Sequence, residues 1–186
     1  MQRRRQLTIF WGIVAGIGVS ILLVVGWSVS KQYRWSGYRN AAYGFSIQYP
    51  ANWTVKENYE GTAVFLLSPL ENKLDFFPEN VNVVVQDLSQ KPMDLDKYSN
   101  IAIHQMQVVF KQNLEVLESD STYLDGHPAH NFVFLAKGPD MEMKIKCVWT
   151  VIDETKAYQV TFGALTSQYD KYVTKVQKII QSFQIL

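Results

Sequence analysis

The sequence predicts an α+β protein: a mainly antiparallel sheet with two helices packed on it, preceded by one N-terminal transmembrane helix. Three observations carry this reading. Four strand-like runs follow residue 113 in close succession, separated only by short turns. Two other segments repeat apolar residues at helical spacing. No alternation of strand and helix dominates, so a parallel sheet built from crossovers is not expected.

At the N-terminus, Arg3, Arg4 and Arg5 precede 23 uncharged residues, Leu7 to Val29. A helix of that length reaches roughly 35 Å, enough to cross a hydrocarbon core of about 30 Å. Trp11 and Trp27 lie near its ends, where interfacial aromatics belong. The run has no polar face, which argues against a helix of a soluble domain. It is longer than the apolar core of a cleaved signal peptide, and no cysteine follows it to carry a lipid. The expectation is an uncleaved single-span anchor. Residues 1–30 are read as cytoplasmic tail and transmembrane segment, 31–42 as a juxtamembrane linker, and 43–186 as a folded domain outside the cytoplasm. Lys31, Arg34 and Arg39 follow the span, so the charge bias is small, and the short N-terminal tail sets the orientation. Tyr33, Trp35 and Tyr38, interleaved with those cations, suit a headgroup layer.

The folded part opens on Gly44–Val55. Phe45, Ile47 and Tyr49 alternate with Ser46 and Gln48, which describes a strand with one apolar face. Pro50 has no N–H to donate and ends it; Trp53 returns a large ring to the same core. Thr62–Ser68 is the next strand. Residues 69–80 form a breaker-rich loop carrying Leu74, Phe76 and Phe77 among Glu71, Asp75 and Glu79. Val81–Leu88 is a β-branched strand. Asp94 caps a helix whose Leu95, Tyr98, Ala102, Gln105, Met106, Val109 and Phe110 share a face, and Asn113 closes it.

The meander then runs through Leu114–Leu124, the turn Asp125-Gly126, and Ala129–Ala136. After a turn at residues 137–140 comes Met143–Asp153, with Met143, Ile145, Cys147, Trp149 and Val151 on one face. Another turn leads to a fourth strand, with Tyr158, Val160 and Phe162 inward. Ser167–Phe183 is the second helix, capped by Thr166 or Ser167. Its inward residues are Tyr169, Tyr172, Val173, Val176, Ile179, Ile180 and Phe183.

Composition excludes several function classes. The net charge is +1 over 186 residues, without the basic excess of a dedicated nucleic-acid binder. A lone cysteine, Cys147, permits neither an intrachain disulfide nor a cysteine-rich zinc site, and its alternating surroundings read as a buried strand position. No Gly-x-Ser-x-Gly elbow, phosphate loop or metalloprotease helix is present, so an enzyme is not expected.

The run Tyr43-Gly-Phe-Ser-Ile-Gln-Tyr-Pro-Ala-Asn-Trp53 resembles the opening of PsbP-like domains. Leu124-Asp-Gly-His-Pro-Ala129 is similar to a hairpin of that family and of the related DcrB-like domains. The Tyr158–Phe162 strand and the helix ending Ile179-Ile-Gln-Ser-Phe183 fit the same plan, so the resemblance covers about residues 41–186. It implies an α/β/α sandwich around a central antiparallel sheet. It also implies a photosystem-related task, since PsbP itself is an extrinsic lumenal subunit of photosystem II and relatives assist photosystem assembly. The matching motifs build the sandwich and bring no binding residues with them.

Two sets of residues are candidates for a site. Asp125, His127 and His130 straddle the hairpin turn and are the right types to hold a divalent ion such as calcium or zinc. Read plainly, they are a turn carboxylate, a solvated histidine and a strand histidine; no other cofactor is expected. Phe76 and Phe77 are candidate partner contacts. The leading expectation is a non-catalytic binding or assembly module, tethered to the membrane and docking on a membrane protein complex or envelope partner. The other is an extracytoplasmic sensor domain for a small ligand or divalent metal. A flat sheet face favours the first, and a concave pocket with convergent polar groups favours the second.

Overall fold

A computed structural model describes residues 34–73 and 75–186. The expected membrane span, Leu7 to Val29, lies outside them. Among the described residues no helix is long and apolar enough to cross a membrane.

The elements run β1 (Trp35–Asn40), β2 (Phe45–Pro50), β3 (Thr54–Glu57), β4 (Val64–Leu67), β5 (Asn80–Asp87), α1 (Leu95–Phe110), a 3-10 turn (Lys111–Asn113), β6 (Leu114–Leu124), β7 (His127–Lys137), β8 (Glu142–Ile152), β9 (Lys156–Leu165), α2 (Tyr169–Gln181) and β10 (Gln184–Ile185). The main sheet has seven strands in the order β3-β4-β5-β9-β8-β7-β6, antiparallel at every step. A smaller sheet has the order β1-β2-β10. Residues 37–49 and 53–186 form one unit. In the other, the Ala51 N–H donates to the Arg34 carbonyl at 2.8 Å.

The α+β class and the sandwich are both realised. Because side chains alternate across a strand, the central strands feed two cores. On one face Tyr158, Val160 and Phe162 of β9 and Val148 of β8 pack with Tyr169, Tyr172, Val176, Ile179 and Ile180 of α2. Phe45 and Ile47 of β2 join this core, as do Trp53 and Phe183. On the opposite face Cys147 and Trp149 of β8 and Phe132 and Phe134 of β7 pack with Tyr98 and Ala102 of α1.

Local chemistry sets most boundaries. Asp94 caps α1, its carboxylate accepting the Lys97 N–H at 2.8 Å. Asp125 and Gly126 both have positive φ, at 50° and 75°, as a type I′ hairpin turn requires.

Several sequence expectations are corrected. The stretch read as a linker contains β1, and β10 is an added two-residue strand. Asn113 does not close α1; the helix ends at Lys111, where φ turns to 50°, and a 3-10 turn follows. Neither Thr166 nor Ser167 caps α2. Its N-cap is Gln168, while Thr166 bonds the Glu142 carbonyl through both its N–H and its hydroxyl. Val109 is 72% exposed, because it lies near the end of α1 beside a cleft, and Val173 sits at the rim of its helix's apolar stripe.

One buried bond ties α1 to the sheet. The Trp149 Nε1–H donates to Ser99 Oγ at 2.8 Å, and that hydroxyl donates to the Leu95 carbonyl at 2.7 Å. Ser99→Ala leaves the fully buried indole N–H unpaired. The expected loss is about 1–3 kcal/mol of unfolding free energy, measured by urea titration, with an unchanged m-value.

Candidate functional site

The loop between β4 and β5 is held by its own carboxylates. Asp75 accepts the N–H groups of Glu71 at 2.8 Å and Phe77 at 3.1 Å. Glu71 reaches α2, bonding Lys171 Nζ at 3.1 Å and the Tyr172 hydroxyl at 3.4 Å. At the loop's end Glu79 is buried and accepts from Ser68 Oγ at 2.9 Å, while the Ser68 N–H donates to its carbonyl at 2.8 Å. Burial pushes the Tyr172 phenol up, and the nearby Glu79 carboxylate acts in the same direction.

This scaffold presents Phe76, which is 70% exposed. Phe77 is half-buried. The two candidate contacts therefore separate: Phe76 is displayed, and Phe77 belongs partly to the loop's own packing. Asp75 and Glu71, read from sequence only as loop carboxylates, position the ring.

A second feature lies between α1 and the sheet. A cleft of about 480 Å³ is lined by Gln86 and Gln159 from the strands and by Tyr98, Met106, Val109 and Phe110 from the helix. The Tyr98 hydroxyl donates to Gln86 Oε1 at 3.0 Å. Burial pushes the Tyr98 phenol up to about 12. Sequence reasoning missed Gln86 and Gln159. The signal was there: Gln86 falls out of phase with the apolar positions Val81, Val83 and Val85, as Gln159 does between Tyr158 and Val160.

The histidine candidates go different ways. His127 and His130 both lie on β7, three residues apart, so their side chains leave opposite faces of the sheet. Asp125 accepts the Ile185 N–H at 2.8 Å, which docks β10. His130 stacks on Trp149 with centroids 5.1 Å apart, and its Nε2 lies 3.0 Å from Ser119 Oγ. Among the described residues no group of three or more His, Cys, Asp or Glu is placed to hold a metal ion. Cys147 is buried, and that burial pushes its thiol up to about 12. A thiol so protonated is not an activated nucleophile.

The sequence profile of the PsbP family matches residues 34–185, and the chain belongs to that family. In fold it is similar to cyanobacterial PsbP (CyanoP) from Synechocystis sp. PCC 6803: TM-score 0.62, 13% identity, 82% of this chain and 92% of that one covered. It is similar to LpqN of Mycobacterium tuberculosis, described as involved in cell envelope biogenesis: TM-score 0.61, 12% identity, 82% and 90% covered. It is also similar to the Ran-binding protein Mog1p of Saccharomyces cerevisiae: TM-score 0.56, 10% identity, 82% and 95% covered. At such identities these likenesses are of fold. No curated protein matches the chain in sequence.

His130 gives this region a pH dependence. Burial lowers its pKa below 6.5, opposed by the charges of Asp120 and Asp96. The neutral ring is thus favoured in the folded state. Its contribution to stability is complete above pH 6.5 and is lost as pH falls through the lowered folded value. Urea midpoints measured from pH 7.5 to 5 are expected to fall, and less steeply in His130→Gln; equal slopes would remove His130 as the cause.

Proposed function

We propose that this PsbP-family chain is a membrane-anchored, extracytoplasmic, non-catalytic module that binds a protein of a membrane complex or of the cell envelope. The observation that carries the reading is Phe76, an exposed aromatic ring on a loop immobilised by Asp75, Glu71 and Glu79. A contact ordered before binding loses little entropy on association, and aromatic anchors of this kind dominate many interfaces. The buried thiol of Cys147 and the dispersal of the histidines support a task without covalent chemistry.

The fold relatives support the same direction. Mog1p carries its binding function in its name, and LpqN is described by a role in the envelope. The family resemblance adds a photosystem as one setting for such a partner. The 23-residue apolar run Leu7 to Val29 supports the anchor.

A second reading rests on the cleft beside α1. Its volume falls in the range of small-ligand pockets, and its lining sets apolar side chains and the Tyr98 phenol of α1 against the amides of Gln86 and Gln159. This supports a small-ligand sensor as the alternative.

The docking reading is tested by crosslinking the full-length protein in its membrane and purifying it, with Phe76→Ala as the comparison. A stoichiometric membrane or envelope protein is expected with the unmodified chain. Its yield should fall with an affinity loss of about 30-fold, the weight of one anchor residue. Stability should stay unchanged, because the ring is exposed. Equal recovery with Phe76→Ala removes the loop from the interface, and no partner at all from intact protein sinks the stable-complex reading.

A further inference from the structure

The two edges of the main sheet are built differently. β3 is four residues long and carries Lys56 and Glu57, a short, charged and therefore poor template for pairing. β6 is eleven residues long, and β7 is its only neighbour in the sheet among the described residues. Its outer side leaves backbone donors and acceptors available along Leu114–Leu124.

The register on β7 sorts the β6 side chains. Glu115, Glu118 and Asp120 pair with Leu135, Val133 and Asn131, and so lie on the α2 side of the sheet. Val116, Ser119, Ser121 and Tyr123 pair with Phe134, Phe132, His130 and Pro128, and lie on the α1 side. Tyr123 is 72% exposed and Val116 is 44% exposed. A bulge between Val116 and Glu118 keeps this sorting across the irregularity. The carboxylates stand on the edge strand, and the donors that meet them stand further in. Lys137 of β7 pairs with Glu115 at 2.6 Å. Asn131 of β7 donates to Glu118 and Asp120 at 3.0 and 3.1 Å, and Lys146 of β8 bonds Asn131 from behind.

We propose that β6 is a β-addition site for an extended basic segment of a partner protein, with Lys or Arg alternating with apolar or hydroxyl residues. Backbone pairing would supply affinity, and side chains at alternate positions would supply selectivity. Cations on one face of the added strand would oppose Glu115, Glu118 and Asp120; its other face would cover Val116 and Tyr123. Charge decides against a second copy of this chain. Edge-to-edge pairing of two β6 strands would set three carboxylates against three, and like charges on paired strands repel. The site is separate from Phe76, so the two proposals stand or fall independently.

The test is amide hydrogen exchange on the full-length chain in detergent, with millimolar synthetic peptide Lys-Thr-Lys-Val-Lys-Thr-Lys-Val-Lys. Amides of residues 114–124 should gain protection, and those of β3 should not. The triple variant Glu115→Gln, Glu118→Gln, Asp120→Asn keeps side-chain shape and the acceptors for Asn131. It should bind the peptide about tenfold more weakly, and Tyr123→Thr serves as an independent variant that cannot disturb the Asn131 bonds. Phe76→Ala should bind as the unmodified chain does. The proposal is overturned if β6 gains no protection, if a peptide of the same composition with its lysines in one block protects equally, or if the triple variant binds unchanged. Concentration-dependent protection of β6 without peptide would overturn it in favour of a second copy.

Discussion

A sheet buried on both faces at its centre needs a cover on each side, and one helix is too narrow to cover seven strands. Strands lie about 4.8 Å apart, so the main sheet is roughly 29 Å wide, whereas a helix with its side chains is about 10 Å across. Each helix therefore shields two or three strands. On the α2 face the shortfall is made up by the smaller sheet, whose Phe45 and Ile47 are fully buried in the same core. On the α1 face no comparable element is present among the described residues. The helix packs over β6, β7 and β8, and the surface beside it holds Asn82, Val84 and Gln86 of β5 and Gln159 and Thr161 of β9, half-buried or exposed. The cleft is the step between the covered and uncovered halves.

The smaller sheet is held by contacts that span most of the sequence. Phe45 stacks on Phe183, centroids 5.5 Å apart, and the Tyr158 hydroxyl donates to the Tyr43 carbonyl at 3.0 Å. Gly44 is required here twice over. Its φ is +75°, and an added Cβ would stand 3.2 Å from the Tyr158 hydroxyl. The Leu186 N–H then donates to the Gly44 carbonyl at 3.0 Å, so the last residue closes onto the first strands of the domain. The opening motif is thus a docking point for β10 and Leu186, and its residues serve architecture.

Legibility in the sequence follows the range of the determining interaction. Strand periodicity, the Asp94 cap and the Asp125-Gly126 turn are local, and the structure has each of them. β10 was illegible because two residues carry no period, and its pairing with Ser46 and Phe45 is set from far away in the chain. Val109 was misplaced because helical phase gives a face and not how far the covering sheet extends. The site was legible in part. Phe76 and Phe77 stood out as a pair, but only the Asp75 turn decides which ring is displayed. The histidine spacing looked like a ligand set, yet alternation along β7 sends its two rings to opposite faces.

Many of the polar groups inside this domain hold elements together, and this bears on what the domain can do. Ser99 joins α1 to Trp149, Tyr98 joins it to Gln86, Tyr158 joins the two sheets, and His130 lies against Trp149 beside Ser119. Burial holds the Cys147 thiol and the Tyr98 phenol near 12, far from the range in which a general acid or base works at neutral pH. At the periphery stand a displayed phenylalanine, a half-open sheet face and a long acidic edge strand whose outer side has no neighbouring strand among the described residues. These are features suited to recognition, each with its own chemistry. In a domain whose interior is so largely given over to structure, the edge strand is where backbone groups without a neighbouring strand among the described residues and a row of carboxylates lie together.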